Sequence, residues 1–137
     1  MNRFQTGWKN ILWAVDALAE DMQLQKKAAD VLGKLNIDLD VPIEPVYVLG
    51  PDELKVSADF FSGRIGEFRF DAEKKLNTWM GKIKLKGLVK PTVLVSNSLH
   101  LRNAVKLLLD YARQSQSDLI VASTLARCIG PVGKCYP

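Results

Sequence analysis

The chain has 137 residues, 47% of them hydrophobic and 25% charged, which suits one globular domain with a real core. The apolar run from Ile11 to Ala19 is broken by Asp16 and falls short of the roughly 20 residues a membrane span needs. No signal-peptide pattern surrounds it, so a cytoplasmic protein with no membrane partner is expected.

The net charge of +4 conceals an asymmetry: residues 1–73 carry 8 Lys+Arg against 13 Asp+Glu, and residues 74–137 carry 11 against 2. A positive field of this kind attracts nucleotide phosphates, nucleic acid or an acidic partner. Lys74, Lys75, Lys82, Lys84, Lys86 and Lys90 read first as the solvated face and exit of one helix. No aromatic residues alternate with them as on a strand-binding surface, so nucleic acid is not an expected partner.

In chain order, the first element is Asn10 to Asp16, NILWAVD, a short continuous apolar run of the kind that forms a strand covered on both faces. Leu18, Met22, Ala28, Ala29, Leu32 and Leu35 then recur at helical spacing, with Leu24 and Val31 widening the stripe. Gly33 and Asn36 read as its stop signals. Ile43 to Gly50 is β-branched and aromatic and closes on the turn residues Gly50, Pro51 and Asp52, which predicts a second strand. Residues 51–70 hold Phe60, Phe61, Phe68 and Phe70 without a clear period and read as an excursion with room for a short helix, its rings packing back on the body, with a lid or partner surface as the alternative.

Asp71 is placed to cap a helix with Ala72, Leu76, Trp79, Met80 and Ile83 facing inward. Gly87 and Pro91 bracket the approach to a third strand, Thr92 to Ser96. Ser98 is placed to cap a further helix with Leu101, Ala104, Val105, Leu108 and Ala112 on one stripe, with His100 on its first turn. The run LIVAS from Leu119 completes a fourth strand. Strands alternating with helices predict an α/β fold with a parallel sheet. The chain has no internal repeat, and one domain over 1–137 is expected, with the absence of a helix after the fourth strand favouring a longer or tandem polypeptide.

Three stretches carry a resemblance: NILWAVD, PVYVLGP, and NAVKLLLDYARQSQSDLIVAS. Together they resemble the universal stress protein family, most of the chain being covered except residues 51–70 and the last ten or so. The resemblance implies a Rossmann-like open twisted parallel sheet of the adenine nucleotide α-hydrolase type, with helices on both faces. Its implied strand order is 3-2-1-4, with a fifth strand missing or beyond the chain end. It further implies a homodimer or tandem-domain partner, and ATP or another adenine nucleotide as ligand.

Carried over residue by residue, the resemblance assigns Ala14, Val15 and Asp16 at the end of the first strand, and Val48 on the second, to the adenine and ribose. A carboxylate at a strand's carboxyl end can accept from a ribose hydroxyl, and small or β-branched residues form an adenine slot. Ordinary core packing for Ala14, Val15 and Val48, and a helix N-cap for Asp16, stand beside that assignment. On the phosphate side the family's glycine positions are occupied by Ser123 and Ala126, and its later Gly-Ser or Gly-Thr pair by Tyr136 and Pro137. Glycine permits positive φ and lets backbone N–H groups approach phosphate oxygens, and proline has no N–H to offer. Ser123 can still donate its hydroxyl and Arg127 can pair with a phosphate, whereas Gly130 and Gly133 have a spacing more typical of a flexible turn.

No paired carboxylates, no nucleophile beside a base and no adenylyl-transfer histidine motif are present, so no enzyme is expected. Cys128 and Cys135 match no zinc or redox spacing and read as free thiols, and no metal is expected. Two readings remain from the sequence: a non-enzymatic stress-response protein holding an adenine nucleotide weakly, and a dimerisation or protein-interaction module of the same fold that binds none.

Overall fold

The computed structural model describes residues 8–15, 23–39 and 41–122; for residues 23, 24, 37–39, 52 and 53 it describes the backbone alone. The elements run β1 (Ile11–Ala14), α1 (Gln23–Leu39), β2 (Ile43–Leu49), α2 (Pro51–Leu54), α3 (Ala58–Gly63), α4 (Ile65–Met80), β3 (Thr92–Val95), α5 (Leu101–Gln114) and β4 (Leu119–Ala122). The four strands form one parallel sheet in the order β3-β2-β1-β4, a Rossmann-like α/β arrangement. All four expected strands are present.

Register assigns every strand residue to one of two faces. Ile11, Trp13, Val15, Ile43, Tyr47, Leu49 and Val93 join Ala28 and Leu32 of α1, Phe61 of α3 and Ala72, Leu76 and Met80 of α4 in one large core. Trp13 is wholly buried there, its ring centroid 5.6 Å from that of Trp79 and tilted by 52°, a favourable aromatic geometry. The opposite face is thinner: Leu12 and Val46 meet Ala112 of α5, with Leu94, Leu108, Tyr111 and Ile120 partly buried around them.

The first helix continues past both of its expected stop signals. Gly33 lies within α1, where a Cβ would stand 3.5 Å from Leu85 Cδ1, an ordinary contact. Asn36 is also inside the helix and almost fully buried. Its Nδ2 donates to Lys86 O at 2.9 Å, and its Oδ1 accepts from Val41 N at 2.6 Å. A buried amide so bonded ties the helix end to two chain segments that would otherwise leave polar backbone unpaired. Gly87 closes the same junction at φ +85°, with Asn36 Nδ2 at 2.8 Å and Val41 O at 2.9 Å from where a Cβ would stand. Val31, expected on the inner stripe, is 59% exposed.

Residues 51–70 resolve into helices that the irregular aromatic spacing concealed. Ser57 caps α3 by accepting from Phe60 N at 3.2 Å. The next helix, α4, starts at Ile65, so Asp71 is an interior residue rather than its cap, while Ala72, Leu76 and Met80 face inward as expected. Phe61 is buried and stacked on Phe68 at 5.2 Å, but Phe60 and Phe70 remain exposed, so only part of the aromatic group packs back. Arg64 lies over the rings of Phe60 and Phe68 and pairs with Glu67 at 2.5 Å.

Candidate functional site

After β1 the chain moves outward through β2 to β3, then returns across the sheet to place β4 on the other side of β1. The carboxyl ends of β1 and β4 therefore flank the topological switch point, the place where open α/β sheets leave a crevice for ligands. Ala14 and Ala122 are register partners at that point, so both walls of the gap carry only a methyl group. Ala14 is half-buried and Ala122 exposed. Ala14 pairs on its other side with Val46, and Val48 follows two residues later on the same sheet face. Val48 is half-buried and lies opposite Leu94 of β3.

Of the residues assigned to the nucleoside, the structure thus brings Ala14 and Val48 onto one face of the sheet, the side of α5. Val15 lies on the other face, in the core under α1 and α4, and its backbone N donates to Val46 O at 2.9 Å. Asp16, Ser123, Ala126 and Arg127 lie outside the described residues, as do Cys128, Gly130, Gly133 and Cys135. Ala14, Val48 and Ala122 present small or apolar side chains and supply no charge. Among the described residues no cluster of three or more His, Cys, Asp or Glu is arranged to hold a metal ion.

A polar network unforeseen from the sequence stands at the carboxyl end of β3. Ser96 N donates to Leu49 O at 2.8 Å, and the largely buried Ser96 Oγ accepts from Ser98 N at 3.3 Å. Ser98 Oγ accepts from His100 N at 3.1 Å and from Asn103 Nδ2 at 2.7 Å. The N-cap position itself belongs to His100, so Ser98 organises the approach to α5 two residues earlier than a cap would. With β3 two strands away from β1, about 10 Å at ordinary strand spacing, this network is separate from the switch point.

A second network lies at the opposite, amino end of the sheet. Glu44 Oε2 accepts from Thr92 Oγ1 at 2.7 Å and from the Tyr111 hydroxyl, joining β2, β3 and α5. Burial of Tyr111, reinforced by its hydrogen bond to Glu44, pushes its hydroxyl above the ordinary tyrosine value. The alternation of β2 places Glu44 on the α5 face, but nothing local in the sequence identifies a partner 67 residues away. At the same end Asp118 accepts from the backbone of Lys9 at 2.5 Å and of Asn10 at 3.3 Å, locking the start of β4 to that of β1.

No protein-family model matches the chain, and no curated protein matches it. Among solved structures it is similar to a protein from the universal stress protein family of Burkholderia pseudomallei, at 23% identity over 87% of this chain and 83% of that chain, with a TM-score of 0.49. The Rossmann-like α/β assignment stands on the sheet itself: four parallel strands in the order β3-β2-β1-β4.

Proposed function

We propose that the chain is a universal stress protein-like stress-response protein, non-enzymatic, that holds an adenine nucleotide weakly at the switch point between β1 and β4. The observation that supports this reading is the pairing of Ala14 with Ala122, two small side chains, at the carboxyl ends of those strands, where α/β sheets commonly receive ligands. Val48 would flank the ring, Asp16 would accept from the ribose, and Ser123, Ala126 and Arg127 would lie toward the phosphates. With the glycine positions of the phosphate loop replaced, the backbone N–H cradle is reduced and the affinity for a triphosphate falls.

Isothermal titration with ATP, ADP and AMP, repeated on Asp16→Ala, tests this. Binding that weakens in the variant supports the reading. Absence of heat with every nucleotide removes it.

A second reading, an interaction module that binds no nucleotide, is favoured by the amino-terminal part of the apolar stripe of α5, which is exposed among the described residues. Leu101 is 75% exposed, Val105 46% and Leu109 41%, with Leu99 just before the helix also exposed. Light scattering after size exclusion distinguishes the readings: a concentration-dependent dimer that Leu101→Ser and Val105→Ser disrupt supports the module, and a monomer at high concentration counts against self-association.

A further inference from the structure

Leu101, Val105 and Leu109 stand four residues apart on α5, so their side chains form one row that turns by only about 40° around the helix at each step. All three are exposed, Leu101 most of all. The neighbouring apolar positions Leu108 and Ala112 are the ones committed to the sheet. Tyr111 lies two residues beyond Leu109 and about 200° around the helix from it, and its hydroxyl reaches Glu44 on β2 and Thr92 on β3. The exposed row is therefore on the other flank of α5, toward β4. That strand is an edge of the sheet and pairs with β1 alone among the described residues.

Charge accompanies the row. Arg102 and Lys106 each follow a member of it by one residue, and both are exposed. Among the described residues neither makes an ion pair. Arg113 continues the same line but is already paired with Asp110 at 3.2 Å.

Resting on the interaction-module reading, we propose that this flank of α5 docks an amphipathic helix of a partner protein, one that sets apolar side chains four residues apart with Asp or Glu beside them. A row of side chains spaced by four is a ridge that fits the groove between like rows of a second helix, with about 8–10 Å between the axes. The ridge from Leu101 to Leu109 rises about 12 Å, which occupies roughly two turns of the partner. The basic line decides the partner's sign. A second copy related by two-fold symmetry would set Arg102 and Lys106 beside their own counterparts, like charge against like, whereas an acidic helix meets them with the opposite one. A lipid surface calls for a wide apolar face, and here a single row is exposed while the rest of the stripe lies on the sheet.

Fluorescence anisotropy tests the proposal with a labelled, helix-stapled peptide carrying Leu at three positions four residues apart and Glu next to each, against a peptide of the same composition with these positions scrambled. Leu101→Ser with Val105→Ser is expected to weaken the ordered peptide about tenfold, as loss of two apolar contacts does. Arg102→Glu with Lys106→Glu is expected to weaken it about tenfold at low salt, and a peptide with Lys in place of Glu should then bind this variant better than it binds the wild type. Lys26→Gln with Lys27→Gln, on α1, should change binding by less than about twofold. Equal binding of the scrambled peptide, equal losses in the α1 variant, or tighter binding to anionic vesicles than to the peptide would overturn the proposal. A dimer that Leu101→Ser and Val105→Ser disrupt, with no peptide bound, overturns the acidic partner and leaves the interaction-module reading in place. A monomer that binds no peptide overturns both.

Discussion

The two faces of the sheet are built from alternate residues of the same strands, yet they are finished differently. Under α1, α3 and α4 the face closes over Trp13, Tyr47 and Leu49 into a dense core. Under α5 the buried cluster among the described residues is Leu12, Val46 and Ala112, and Leu101 and Val105 of α5 are exposed. The larger share of apolar burial therefore resides on the first face, and the residues proposed to contact a nucleoside, Ala14 and Val48, lie on the second.

Substitutions on the dense face should therefore be the most costly. Trp13→Ala removes a fully buried indole and its contact with Trp79 and is expected to destabilise by about 4 kcal/mol. Urea unfolding measures it as a lower midpoint with an unchanged slope. Gly87→Ala, at the junction beneath α1, forces a side chain into positive φ and against Val41 O. A loss of about 2 kcal/mol is expected there, and a midpoint equal to wild type would show that the junction can relax.

On the thin face, Tyr111→Phe removes the hydroxyl that Glu44 accepts, for an expected loss of about 1 kcal/mol. Because the folded state raises the Tyr111 hydroxyl above its ordinary value near 10, the neutral phenol is the form that folding favours. Its contribution is fully present below that ordinary value and is lost as pH rises through the raised one. Stability should thus fall on the alkaline side in the wild type and fall less in Tyr111→Phe, which unfolding curves across alkaline pH would record. The smallest effect is expected for Leu101→Ser, within about 0.5 kcal/mol of wild type, since its side chain is mostly in water already. A large loss there would mean that the amino-terminal part of the α5 stripe is covered in solution and would erase the contrast between the faces.

Much of this contrast was invisible in the chain order of residues. The strands could be read because each is a continuous apolar run, and the inner positions of α4, Ala72, Leu76 and Met80, because they recur with helical period. That of α5 could be read too, but the period of Leu101, Val105 and Ala112 marks one stripe without saying how far the sheet extends beneath it. Gly33 and Asn36 were misread as stops since their local chemistry is that of helix ends; packing against Leu85, Lys86 and Val41 overrides it. The start of α4 was missed because four phenylalanines split between buried and exposed positions leave no single period. For the candidate site, sequence resemblance named residues at the strand ends, and the sheet separated Val15 from Ala14 and Val48 by placing them on opposite faces.

By itself, then, the sequence determined the alternation of strands and helices and the basic second half, both properties of neighbouring residues. The parallel pairing β3-β2-β1-β4 is realised only in the assembled sheet, where Ala14 meets Ala122. So are the burial of Asn36 and the joining of Glu44 to Tyr111. These were decided by tertiary structure because hydrogen bonds and apolar contacts between distant segments exist only once the chain has closed on itself, and local periodicity carries no record of which distant partner each face will find.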